Sequence, residues 1–345
     1  MKFIAFLLLF SLCVMPVSAA QITAPEVPPA GEQWMPDQTE SFGEGLWHIL
    51  RSALLSVRPD LKEAGVLCSG LIAIVLLMTI VHNLPGNAKK TVNLVGTVAI
   101  AALLLRTTNS MIALGADTIR ELSDYGKLLL PVMTAAFAAQ GGITGSAALY
   151  TGTAIFNALL GSLISSLLIP MIYLFLVLTA ANSAVGEDIL KKMADFVKWI
   201  MVWSLKILLY VFTGYIGITG VVSGTTDAAT LKAAKITISG VVPVVGGILS
   251  DASEAVLVSA GVVKNAAGIY GIFAVLALCI SPFLRIGSHY LLLKATGAFC
   301  EVFGTKESTG LISGFSGAMG LLLAMTGSVC LMLLISTVCF LKGVG

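Results

Sequence analysis

The stretch Leu128–Gly186, LLLPVMTAAFAAQGGITGSAALYTGTAIFNALLGSLISSLLIPMIYLFLVLTAANSAVG, runs for 59 residues without one charged side chain. A helix needs about 20 apolar residues to cross a bilayer core, so the stretch is too long for one passage and too apolar for water. Pro131, Gly141-Gly142 and Pro170 interrupt it. They divide it into three passages, near 128–143, 146–166 and 167–185, the first short enough to be re-entrant. The whole chain shares this character: 345 residues, 57% hydrophobic and 11% charged, where soluble proteins carry about a quarter charged residues. The fold class is therefore all-α, a polytopic helical membrane protein, because backbone groups in lipid must be satisfied within each helix.

Working outward, Ala64 to Leu84 is a clear span, and PGNAKKT turns into a second from Val92 to Leu105. Arg106 ends that run and either snorkels or lines a pore. Gly115 to Lys127 carries Asp117, Arg120, Glu121 and Asp124. Asp117 with Glu121 and Arg120 with Asp124 stand at i,i+4 spacing, so a short solvated helix is the plain expectation. Downstream, Trp199–Val222 holds Lys206 and possible interface anchors in Trp199, Trp203 and Tyr210. Ile269–Leu284 and Leu311–Leu341 complete six to eight spans.

The N-terminus divides into three parts. Residues 1–20 read as a signal peptide: Lys2, an apolar run from Phe3 to Met15, then small residues to Ala20. Residues 21–45 are polar and proline-containing, too poor in apolar surface to fold alone, hence an extracytoplasmic linker. Over residues 46–62, Leu46, Leu50, Ala53, Val57 and Leu61 recur at helical spacing. That helix lies on the membrane surface or packs on the rest of the protein, and Pro59 should end or bend it. The polytopic membrane domain is 63–345.

Several function classes lack a local basis. The six cysteines form no CxxC, and His48, His82 and His289 form no HExxH, so no metal site is expected. No GxxxxGK[ST], GxSxG or helix-opening GxGxxG occurs, so neither nucleotide hydrolysis nor serine chemistry has a motif, and no cofactor or catalytic residue is assigned. A net charge of +2 with scattered Lys and Arg gives no nucleic-acid footprint.

One apolar segment contains its own helix breakers. VVPVVGGILSDASEAV, Val241–Val256, holds Pro243 and Gly246-Gly247. It lies inside a region, 225–268, that reads as helix, break, helix. Lys232 and Lys235 sit one turn apart before the break, and Asp251 and Glu254 one turn apart after it. Non-helical backbone at membrane depth survives only where protein buries it or a watery cavity adjoins it. The segment is thus a broken re-entrant element lining a passage or interface, or else a surface loop with a proline turn. Pro243, Gly246, Gly247, Asp251, Glu254, Lys232 and Lys235 are the candidate residues.

The run Phe212–Ile272 also resembles a known family. TLKAAK (Thr230–Lys235), PVVGGILSDA (Pro243–Ala252) and VKNAAG (Val263–Gly268) are similar to the stage III sporulation protein AE family of endospore-forming bacteria. That resemblance implies a large polytopic subunit in the mother-cell membrane, within a complex joining mother cell to engulfed forespore. It also implies the partners: other membrane and ring-forming subunits, a separate cytoplasmic ATPase and a forespore-side protein. The expected function is a non-enzymatic channel or export-platform component required for forespore development. The alternative, an autonomous secondary transporter, would carry an inverted repeat with paired broken helices. Only one convincing break is present, with Pro131–Gly142 a poorer second. An intramembrane enzyme would need facing Asp, Glu or His inside spans, and the carboxylates read as lying in connections or terminal segments.

For orientation, a cleaved signal and an odd number of passages through 128–185 put Lys89-Lys90 and Lys191-Lys192 both in the cytoplasm, as the positive-inside tendency prefers.

Overall fold

The structure, a computed structural model, describes residues 24–36, 42–82, 89–140, 143–241 and 246–342. The signal-peptide segment lies outside them. The elements are α1 (Pro29–Glu32), α2 (Phe42–Ser56), α3 (Arg58–His82), α4 (Lys89–Ala139), α5 (Ile143–Leu163), a π turn (Ile164–Leu168), α6 (Ile169–Val185), α7 (Asp188–Val241), α8 (Gly246–Phe303) and α9 (Lys306–Lys342). No strand occurs among the described residues. Among the described residues, six helices are long and apolar enough to cross a membrane: Phe42–Val81, Thr91–Ala139, Thr144–Val185, Asp188–Thr219, Asn265–Phe303 and Lys306–Leu341.

The three passages expected through 128–185 resolve differently. The first is the end of α4, which runs unbroken for 51 residues through Pro131 and through the charged 115–127 segment. The second and third are one path, α5 to α6, relieved only by the π turn before Pro170. A proline inside a helix lacks one N–H and crowds the carbonyl four residues back. The wider π turn absorbs both effects, so the chain bends without leaving the helix. Ser165 Oγ adds a bond to Gly161 O at 2.8 Å within that turn.

Pro59 marks the end of a helix, as expected: α2 stops at Ser56. The proline itself falls in the first turn of α3, where its missing N–H costs nothing, and only Val57 separates α2 from α3. α2 buries Gly45, Ile49 and Ala53 and stacks Phe42 on Phe273 of α8 at 5.2 Å between ring centroids. Its opposite face leaves Trp47 and Leu54 exposed. The polar leader is also docked where it is described: Gly31 is buried against Leu278, with Val27 packed on the core.

Side-chain pairings fix the helix directions. Gly70 lies opposite Leu103 and Gly96 opposite Met78, so α3 and α4 run antiparallel. Asn157 Nδ2 donates to Ser123 O at 3.1 Å and Tyr173 Oη to Asn109 Oδ1 at 2.7 Å, so α5–α6 returns along α4. Tyr215 Oη donates to Ala148 O at 2.8 Å from α7. Gly268 faces Leu341 and Gly297 faces Ile312, so α8 and α9 are antiparallel. α3 and α8 run side by side in one direction, joined by Arg285 Nη2 to Asp60 Oδ1 at 2.9 Å and Thr79 Oγ1 to Phe303 O at 2.6 Å.

The result is an up-and-down bundle with α9 at its centre, 61% of its apolar window buried against 22% for α7. α7 instead turns Trp199, Trp203, Ile207 and Tyr210 outward, as a lipid-facing helix does. The C-terminal ends of α3, α6 and α8 gather at one end of the bundle. Lys89-Lys90 and Lys191-Lys192 therefore share a side, separated by two passages. Single cysteines in a cysteine-depleted chain, probed with an impermeant thiol reagent, should leave both loops unlabelled from outside and label Trp34→Cys. Labelling of the Lys191-Lys192 loop from outside would reverse this orientation.

A candidate polar groove between the last three spans

At the loop-bearing end of the bundle, α6, α7, α8 and α9 separate around two adjoining cavities of about 580 and 500 Å³. Lys198, Glu301 and Ser313 line both, which makes them one groove. Its floor is a face of α9 rich in small residues, Gly310, Ser313, Gly314, Ser316, Gly317 and Gly320. From Lys306 to Gly320 the floor runs about 21 Å at 1.5 Å per residue, a large part of a hydrocarbon core about 30 Å thick.

Local chemistry shapes the mouth. Gly186 takes φ 78° at the end of α6 and donates its N–H to Asn182 O at 2.7 Å, a left-handed stop that glycine adopts freely. Asp188 and Glu307 occupy the first turns of α7 and α9, where helix dipoles favour negative charge. At the start of α9, Thr305 Oγ1 accepts the Ser308 N–H at 3.4 Å. At the deep end, Lys294 Nζ lies 5.7 Å from the Tyr290 ring centre and 3.4 Å from its hydroxyl, and Ser316 Oγ donates to Tyr290 O at 3.4 Å.

The groove walls carry Lys191, Lys198, Lys294 and Lys306 against Asp188, Asp195, Glu301 and Glu307. These charges cancel, and no ion pair between them closes the space. A cavity so lined holds water, because ionised groups in lipid are costly unless they pair or face a wet cavity. The arrangement can pass or hold a hydrophilic solute, and it shows no nucleophile–base pairing. Among the described residues no cluster of His, Cys, Asp or Glu could hold a metal.

A second polar cavity, of about 600 Å³, lies between α3, α4 and α8. Here the Asp60–Arg285 pair meets Glu63, Arg106 and His289. His289 is buried, its Nδ1 3.0 Å from Arg285 O, and Arg285 Nε is buried without a partner. Of the carboxylates expected in connections or terminal segments, Asp60 and Glu63 lie near the start of α3 and Glu301 near the end of α8. Helices here outrun their apolar segments, so a charge that ends a hydropathy window still sits on a packed helix. Arg106 joins this cavity, while Lys206 is exposed on α7.

The sequence-derived candidates fall elsewhere. α7 closes at Val241 and α8 opens at Gly246. Pro243 lies outside the described residues, as do the side chains of Lys232, Lys235, Asp251 and Glu254; Gly246 and Gly247 open α8. α7 spans 54 residues, so this break is at the far end of that helix from the groove mouth. Sequence reading missed the groove itself. Its available signal was the small-residue run GLISGFSGAMG, Gly310–Gly320, beside lysines in apolar helices.

A family model for stage III sporulation protein AE matches residues 37–343. The curated Stage III sporulation protein AE of Bacillus subtilis (strain 168) is 24% identical over 202 residues, 59% of this chain and 51% of that protein. The matched chain thus spans about half the length of that relative. No solved structure matches. With a membrane-spanning helical bundle and a family match over nearly its whole length, the chain belongs to the stage III sporulation protein AE family, which implies a role in sporulation.

Proposed function

We propose that this protein is a non-enzymatic membrane subunit of a channel or export platform connecting mother cell and forespore, located in the mother-cell membrane. The observation that carries this reading is the charge-balanced groove between α7, α8 and α9, open at the loop-bearing end and floored by glycine and serine. A passage for hydrophilic cargo needs water-filled depth and no deep binding energy, since a solute that binds tightly does not leave. Equal numbers of opposite charges along a smooth floor meet both needs. Other membrane and ring-forming subunits, a separate cytoplasmic ATPase and a forespore-side protein complete the complex, and the broken 225–268 region contributes to its conduit or interface.

An autonomous secondary transporter is the second reading, and the Asp60–Arg285–His289 cluster favours it, since ionisable groups at bilayer depth are the usual carriers of ion coupling. Purified chain in liposomes separates the two. The subunit reading expects no ATPase activity and no proton- or sodium-driven uptake of solute by the isolated protein. Robust coupled uptake, abolished by Asp60→Asn, would establish the transporter.

A further inference from the structure

The outward face of α4 does not suit lipid. Between Leu105 and Leu128, both exposed, that helix exposes no large apolar side chain. The face is instead formed by small and polar residues, ending in Asp117, Arg120, Asp124 and Lys127, all solvent-exposed. The stretch covers about 33 Å of helix at 1.5 Å per residue, comparable to a hydrocarbon core of about 30 Å. Its depth is fixed by the opposite face. Gly115 lies against Leu322 and Gly126 against Leu333, so the charges run beside the LLAMTGSVCLML segment of α9, well inside the span Lys306–Leu341. On the neighbouring α5, joined there by Asn157 to Ser123, Ile155 and Leu159 are exposed. The polar stripe is thus bordered by apolar surface on its α5 side.

We propose that this stripe is a self-association surface, covered by the same stripe of a second copy of this chain. The spacing of the charges is what selects that occupant. Asp117 and Asp124 are seven residues apart, as are Arg120 and Lys127, so an acidic and a basic column run side by side down one face, with half-exposed Glu121 on the acidic edge beside Asp117. Copies inserted in one orientation are related by an axis along the bilayer normal, and a two-fold contact of that kind is reciprocal. Asp117 of each copy then reaches Arg120 of the other, and Asp124 reaches Lys127, across an axial offset of three residues, about 4.5 Å. Within one chain the same groups already pair at 3.4 and 2.7 Å while more than half exposed. Those pairs are free to share or exchange partners when a second stripe arrives.

The test uses full-length, cysteine-depleted protein in native membranes. Ala113→Cys places a thiol on the stripe face, and Val177→Cys places one on the exposed outer face of α6. A short bis-maleimide should join Ala113→Cys into an adduct of twice the chain mass and leave Val177→Cys single. Asp117→Lys with Asp124→Lys makes all four fully exposed charges of the stripe positive and should lower the adduct about tenfold or more, because like charges then face each other across the contact. Adding Arg120→Asp and Lys127→Asp to that pair exchanges the sign at the four exposed positions, preserves the two opposed columns and should restore the adduct. The proposal is overturned if Ala113→Cys gives no adduct, gives one of a different mass, or gives one that the two lysine replacements do not weaken. If the double-lysine variant fails to accumulate, the sign-exchanged variant decides: loss of its adduct at normal protein level also overturns the proposal.

Discussion

Leucine at both Gly310 and Gly317 should abolish function while leaving the bundle intact, with spore yield falling about a hundredfold or more if the groove is a passage whose width sets its selectivity. The two positions are chosen because a side chain there has room. A Cβ at Gly310 meets nothing within 4 Å, and one at Gly317 comes only to 3.7 Å from Lys198 Nζ and 3.9 Å from Phe175 Cζ. Both new side chains therefore extend into the groove rather than into packed core. The replacement also favours α9 itself, since glycine costs about 1 kcal/mol relative to good helix formers in a helix interior. The variant should accumulate in the membrane to the normal level and resist heat at least as well. Gly214→Leu supplies the control, because Gly214 is on the exposed face of α7 with nothing within 4 Å. Normal spore yield from the groove-filled protein would show that nothing passes along this face of α9.

The second large effect is expected at the opposite end of α7. Pro243→Leu combined with Gly246→Leu and Gly247→Leu removes a residue that costs about 3 kcal/mol within a helix and two that cost about 1 kcal/mol each. The preference between α7 and α8 then shifts toward continuous helix. If a break at membrane depth lines a passage or an interface, the triple variant should insert and accumulate, being more apolar, yet fail to support forespore development in a sporulating host. Gly343→Leu near the C-terminus should do little. Near-normal sporulation at normal protein level would mean that the stretch is a passive loop, leaving the groove reading untouched, since the two sites are separated by the length of α7.

How much was readable in advance depended on the kind of feature. The membrane class, the all-helical fold and the number of spans follow from apolar runs such as Leu128–Gly186, because lipid leaves a spanning backbone no alternative to the helix. Helix boundaries were less legible. Pro131 and Pro170 read as breaks, yet each is absorbed, one inside α4 and one behind a π turn, whereas Pro59 does fall where α2 gives way to α3. A proline costs local energy, and the packing of the helix's buried face outweighs it. The charged 115–127 segment read as a separate solvated helix because a hydropathy window ends at Arg106, whereas the helix itself continues to Ala139.

The sequence by itself determined that this chain crosses a membrane several times as helices and, through TLKAAK, PVVGGILSDA and VKNAAG, which family it resembles. Both are properties of local runs, in which neighbours along the chain carry the whole signal. Only the tertiary structure decided which polar residues meet. Lys198, Lys294 and Ser313 come from three helices to one groove, Asp60 and Arg285 close an ion pair across 225 positions, and the α4 charges face outward because Ile112, Ile119 and Leu122 face in. The facing of a side chain depends on what packs against the other side of its helix, and that partner lies far away in the chain.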